Sequence, residues 1–158
     1  MNVVTFSNPV LLLSVFPVVL LVFSLGILGW IWAISTNLHV KLPAGVKLNS
    51  RRFKLLFLVP VVYILLISVA LGLVMTQGVS VVTSVNGAVV ASIIIPLHML
   101  SIFLIFWGAR FAAKTFRSIE LGRTARFSDY IGDFVLIWFS MIGIWILQPR
   151  LNNLIAEE

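Results

Sequence analysis

The chain has 158 residues, 61% hydrophobic and 10% charged, with a formal net charge of +6 and no cysteine. Soluble proteins carry about a quarter charged residues, so a mean hydropathy of +1.15 excludes an ordinary water-soluble domain and leaves more apolar surface than so small a protein can bury. The lack of cysteine excludes disulfides, thiolate chemistry and Cys-based zinc or iron–sulfur sites, and with no soluble domain to carry a basic face the positive charge suits anionic lipid headgroups rather than nucleic acid.

The first segment is expected to be retained rather than cleaved. The opening MNVVTFSNPV has no basic residue, the apolar run behind it is too long for a signal peptide, and no small-residue cleavage site follows. A helix is predicted over about 9–34, with Ser7 or Asn8 able to cap it and Pro9 where the first turn needs no N–H. The first basic stretch follows: Lys41, Lys47, Arg51, Arg52 and Lys54. A second helix is predicted over about 53–76, stopping at Gly78, and the connection from Gln77 to Asn86 carries no charge. A third begins at the Asn86-Gly87 turn signal. Each of these runs exceeds the ~20 residues that cross ~30 Å of hydrocarbon.

The third helix is predicted to run on to about 121, past the membrane beyond residue 108. Arg110, Lys114 and Arg117 recur at i, i+4 and i+7, one face of a helix, and Glu120 lies three residues from both Arg117 and Arg123. That face reads either as a docking helix for lipid or a partner, or as a solvated helix end with snorkelling cations, the reading preferred here. The fourth segment is the shortest. Its uncharged run, Phe134 to Leu147, is too short to span, but a helix over 129–147 capped by Ser128 or Asp129 and ended by Gln148-Pro149 would reach roughly 28 Å at ~1.5 Å per residue. A span is favoured, with a re-entrant or interfacial helix as its rival.

Four spans place both basic stretches on one side, and the positive-inside rule makes that side cytoplasmic. Ten of the eleven Lys and Arg residues lie in the two stretches, the second made of Arg110, Lys114, Arg117, Arg123 and Arg126. Both termini then face outward, with Arg150, Glu157 and Glu158. The expected fold is an all-α, four-helix transmembrane bundle forming a single domain. Small-residue pairs at Gly29/Ala33, Ser68/Gly72, Gly87/Ala91 and Gly108/Ala112 permit close helix approach.

Two groups stand out chemically. His98, with Ser101 one turn away, is the candidate intramembrane polar site, since polar groups at that depth are costly; a hydrogen bond to a neighbouring helix is the simpler account and a proton relay the sharper one. Asp133 is the deepest acid and is expected to pair with Arg110 or Arg126, with Asp129 capping beside it, in an ion-pair cluster at the interface. Pro17, Pro60 and Pro96 each remove a helical hydrogen bond and bend their helices. No paired-carboxylate site, Ser/His/Asp set, phosphate-binding Gly loop or HExxH motif is present, so no catalytic, metal or cofactor site is expected, and the chain reads as a non-enzyme.

The stretches LPAGVKLNSRRFKLLF (42–57) and ELGRTARFSDYIGDFVLIWFSMIGIWILQPRLN (120–152) resemble small four-helix bacterial membrane proteins with a basic LP-x-GVK loop and an FSDxxG…IGIW-x-x-QPR-x-N ending. The resemblance covers about a third of the chain directly. It implies a bacterial cytoplasmic (inner) membrane location and carries no activity, cofactor or site. The expected role is a multi-pass, non-enzymatic membrane subunit that binds partner proteins or its own copies, with Lys41, Lys47, Arg51, Arg52 and Lys54 on anionic headgroups. The alternative is a transport or channel protomer with His98 and the proline breaks lining an oligomeric path.

Overall fold

The computed structural model describes residues 9–77 and 87–156, with side chains over 15–75 and 87–156. The caps at Ser7 and Asn8, the stop at Gly78, the turn at Asn86, and Glu157 and Glu158 lie outside the described residues. Among the described residues every regular element is a helix. Helix α1 spans Pro9–Asn37 and tightens into a 3₁₀ turn at Leu38–Lys41; α2 spans Ser50–Gln77 and α3 Gly87–Glu120, followed by α4 (Phe127–Trp138) and α5 (Ser140–Ala156). Among the described residues three helices, α1 with its 3₁₀ turn, α2 and α3, are long and apolar enough to cross a membrane.

The packed core lies at one end, the end that carries the basic residues. There α1 contributes Leu28, Ile31, Ile34 and the adjoining Leu38, α2 contributes Phe53 and Phe57, and α3 contributes Ala109, Ala112, Ala113 and Phe116. These positions recur at helical spacing, so one stripe of each helix is buried. The three alanines on α3 are completely buried. Their size lets neighbouring helices close around α3, and Gly108 carries this furthest: a Cβ there would overlap the ring of Phe57. Across that contact Phe53 stacks on Phe111 with centroids 4.7 Å apart and on Phe57 at 5.1 Å. Toward the opposite end the helices are mostly exposed, with Val18, Val22, Leu66, Ile93 and Phe103 among their large exposed apolar residues.

Helix α3 has 34 residues, roughly 51 Å at ~1.5 Å per residue, well beyond the ~30 Å of a hydrocarbon core. It ends where Gly122 takes a left-handed φ of 62°, with the Gly122 N–H donating to the Ile119 carbonyl.

The fourth segment departs from its expected form. It is not one helix over 129–147 but a hairpin of α4 and α5, broken at Phe139, whose backbone (φ −88°, ψ 53°) leaves the helical region. A continuous helix would hold Asp133 and Arg150 about 25 Å apart, yet their side chains meet at 2.7 Å. The chain therefore reverses. Phe106 of α3 stacks on Trp138 at 3.5 Å, and Arg110 reaches Tyr130, so α4 runs back along α3. From the turn, α5 returns beside α1, where the Trp30 indole donates to Gln148 at 3.2 Å. Its last turn meets the first basic stretch: Lys41 Nζ donates to the carbonyls of Leu154 (3.0 Å) and Ile155 (3.2 Å). A cation there satisfies terminal carbonyls and the helix dipole together.

Three expectations are corrected by this path. With 12 and 17 residues, the arms measure about 18 and 26 Å, and neither matches ~30 Å of hydrocarbon. The C-terminal end of α5 lies at the basic end, not opposite it. Nor does Gln148-Pro149 end a helix, because α5 continues through Pro149 to Ala156, losing one backbone hydrogen bond while Leu147 and Leu151 stay buried on its inner face.

The hairpin turn depends on Gly143, where a Cβ would overlap the Leu136 carbonyl. Gly143→Ala is expected to lower stability by about 1–3 kcal/mol. Gly132→Ala on α4, where a Cβ meets nothing within 4 Å, should be neutral or stabilising by up to about 1 kcal/mol. Thermal melts of the two variants in mild detergent check the contrast, and equal melts would exclude the hairpin.

Candidate functional site at the basic end

Arg150 is the centre of the ion pairs at this end. Its Nε and Nη2 donate to the two oxygens of Glu120 at 3.1 and 2.7 Å, and its Nη1 donates to Asp133 at 2.7 Å. The guanidinium also lies 4.7 Å from the ring centre of Phe116, within cation–π range. Arg117 adds a bond to Glu120 at 2.6 Å. The planar fork of Arg fits two carboxylates at once, which a Lys ammonium could not do with the same geometry. Burial opposes the Arg150 charge, but the hydrogen bonds to Glu120 and Asp133 outweigh it and raise the guanidinium above its ordinary pKa.

The expected cluster of Arg110, Arg126, Asp129 and Asp133 is thus only partly assembled. Asp133, whose side chain is 7% exposed, pairs with Arg150 rather than with Arg110 or Arg126. The hairpin explains the exchange, because it brings Arg150 to α3 from what linear topology makes the far side. Arg110 instead donates from Nε to the Tyr130 hydroxyl at 2.9 Å. Asp129 caps α4, accepting from the Arg126 N–H at 2.9 Å and from Arg123 Nη1 at 3.0 Å. The backbone bond, then Arg123, hold its carboxyl below the usual carboxylate pKa.

These groups line an open cleft of about 1040 Å³ between α3, α4 and α5, with Lys41, Arg117, Glu120, Asp129, Asp133 and Arg150 as its charged lining. Three cations face three carboxylates, and Glu120 and Asp133 are already held by Arg150. Neither is free to serve as a general base without breaking a charge-assisted pair. Among the described residues no group of three His, Asp or Glu side chains could hold a metal ion.

His98 and Ser101 do not form one site. The Ser101 hydroxyl donates to Leu97 O of its own helix at 2.8 Å. His98 Nδ1 lies 2.9 Å from the Tyr63 hydroxyl on α2, a hydrogen bond between helices. Tyr63 is buried, but His98 is exposed. The chain matches no family model, no curated protein and no solved structure. Within the first basic stretch, Lys41 turns to the end of α5, while Lys47 and Arg52 face the third helix across a second cleft, with Arg110 and Lys114 opposite. Arg51 and Lys54 are exposed.

Arg150→Gln would strand Asp133, and breaking a buried pair from one side costs about 3 kcal/mol or more. With Arg150 about one-third exposed, a loss of about 2–3 kcal/mol is expected, read as a lower melting point, with Arg150→Lys intermediate. The pH dependence has a definite sign. Because the folded-state pKa of Asp129 is lowered, its contribution is present above the ordinary carboxylate range, near pH 4, and lost as pH falls through the lowered value. Asp129→Asn should flatten the acid limb of the stability–pH curve. An unchanged limb would show that the cap does not contribute.

Proposed function

We propose that this chain is a non-enzymatic subunit of the bacterial cytoplasmic membrane, anchored by three spans, that assembles with its own copies through the exposed half of α3. The carrying observation is that half-helix itself. Across residues 87–100 only Val90 and Leu97 are as much as half-buried, and His98 is exposed among them. An imidazole edge presented to hydrocarbon is costly, and a neighbouring helix that covers it removes the cost. Tyr63 meets one ring nitrogen, which leaves the rest of the ring for the neighbour.

In this reading the basic end faces the cytoplasm, as the positive-inside rule favours. Three spans then put the N-terminus outside and the end of α5, held by Lys41, inside. The α4–α5 hairpin enters from the cytoplasmic face and turns back within the membrane. Its irregular backbone at Phe139 is tolerable because its N–H donates to the Val135 carbonyl and its own carbonyl accepts from the Ile142 and Gly143 N–H groups, so neither polar group is left to the hydrocarbon. The charged lining of the large cleft would sit at headgroup level. The exposure of Pro96 beside His98 on the same half-helix favours one second reading: transport along an assembled path that includes Pro17 and Pro60.

Since the chain has no cysteine, single cysteines from residue 88 to 103 can be cross-linked in native membranes. Dimer yield is expected to rise and fall with a period near 3.6 residues. No cross-link at any position, together with a monomer in mild detergent, would remove the basis for self-assembly. A reporter fused after Glu158 should be active in the form that reads cytoplasmic exposure, and the opposite result would mean that α4–α5 opens into a span. Unchanged flux in His98→Ala proteoliposomes would exclude the transport reading.

A further inference from the structure

The two basic stretches, far apart in sequence, converge on one small cleft. It holds about 230 Å³ between the loop before α2, the start of α2 and the basic extension of α3. Lys47 and Arg52 line it from one side, Arg110 and Lys114 from the other, with Asn49, Trp107 and Phe111 between them. No carboxylate lines it. Among the described residues none of the four cations is in an ion pair. The contrast with the larger cleft is sharp, since there every cation has a carboxylate within the same lining.

The start of α2 adds to the charge. Its first turn contains Arg51 and Arg52 and no acid, although a helix N-terminus favours anions and disfavours cations. Asn49 accepts from the Arg52 N–H at 2.8 Å, so the helix is capped, but the cap is neutral and leaves the positive field in place. Four cations and a helix N-terminus around one cleft repel one another unless an anion sits among them.

The lining is also ordered along α3. Trp107 lies one turn toward the apolar part of the helix from Arg110 and Phe111, and Lys114 lies one turn beyond, so the face passes from aromatic to cationic. An indole belongs at a membrane interface. A free phosphate needs only the cationic part of this face; a phospholipid uses all of it, with glycerol and the first methylenes against Trp107 and Phe111.

We infer that this cleft binds the phosphate group of an anionic phospholipid, held by Lys47, Arg52, Arg110 and Lys114. Arg52 and Arg110 present planar forks suited to phosphate oxygens, and Lys47 and Lys114 supply point charges. The Tyr130 hydroxyl fixes the Nε edge of Arg110, which leaves the terminal nitrogens for the ligand. The site rests on the membrane reading above but not on its sidedness or its self-assembly.

The test uses the full chain, purified in mild detergent, exchanged with phosphatidylglycerol, cardiolipin or phosphatidylcholine, and read by native mass spectrometry for retained lipid. Wild type should retain the anionic lipids at least about tenfold better than phosphatidylcholine. Arg52→Gln/Lys114→Gln should lose most of that preference. It leaves the Arg110–Tyr130 bond intact, so folding is spared. Arg51→Gln/Lys54→Gln removes the same charge from the same end of α2 outside the cleft and should stay within about twofold of wild type. Equal loss in both variants would reduce the effect to general surface charge and overturn the site. No preference in wild type would do the same. Displacement of the lipid by millimolar inorganic phosphate would overturn the lipid assignment and leave a free-phosphate site. None of these readings depends on membrane orientation, so they can fail without the topology failing, and the reverse.

Discussion

The fork of Arg150 is the contact on which the basic end depends. It reaches Glu120 at the end of α3 and Asp133 inside α4 from a third element, α5. In sequence the three lie at 120, 133 and 150, and only a reversal at Phe139 can bring the last to the first two. The reversal in turn needs Gly143, because the two arms of the hairpin touch backbone to side-chain position there. One glycine thus permits the turn and one arginine locks it. The ion pairs make little net contribution against well-packed apolar residues, but they are specific, since any other register would leave Asp133 buried without a partner. Lys41 then extends the lock to the first basic stretch by holding the last carbonyls of α5.

That arrangement divides the molecule. At the basic end every helix has neighbours, the alanine face of α3 lies at the centre, and aromatic rings from α2 and α3 fill the space that the small residues leave. At the opposite end most of the described residues of α3 from 87 to 100 are exposed. Apolar exposure there would be ruinous in water and is ordinary in lipid, where tails are as apolar as leucine and helices associate by packing and hydrogen bonds. The Tyr63–His98 bond is a polar contact between two of these helices. The buried core therefore sits at the basic end, while the apolar residues of the opposite end are left for other surfaces to cover.

The long helices were legible because the membrane-length rule is coarse and robust: a run of apolar residues above ~20 needs no tertiary information. The extension of α3 was legible for a similar reason, since Arg110, Lys114 and Arg117 mark one helical face. The fourth segment failed on tertiary grounds. Its apolar run from Phe134 to Leu147 passes through Phe139 and Ser140 without a Gly-Pro or Asn-Gly signal, and the residue that permits the turn, Gly143, sits four positions downstream. Pro149 reads as a terminator but is carried inside α5. The run of 14 uncharged residues was the usable clue, since that length fits a re-entrant segment better than a span. The partners of Asp133 followed the same error, because a spanning helix puts Arg150 out of reach.

The two basic stretches carry nearly all of the cations, and the structure separates them into two electrostatic states. On the side of α3 that faces the hairpin, Arg117 is drawn into the Glu120 and Arg150 network and Arg123 into the cap of α4. On the side that faces α2, Arg110 and Lys114 meet Lys47 and Arg52 with no carboxylate between them. Repulsion in water is mild, because the high dielectric and dissolved salt screen it. At a membrane interface the dielectric falls and counter-ions are supplied by the lipids themselves. In the proposed lipid site, charge left unneutralised within the protein would be neutralised by the headgroups, and Trp107 and Phe111 beside it would set how deeply the lipid is met.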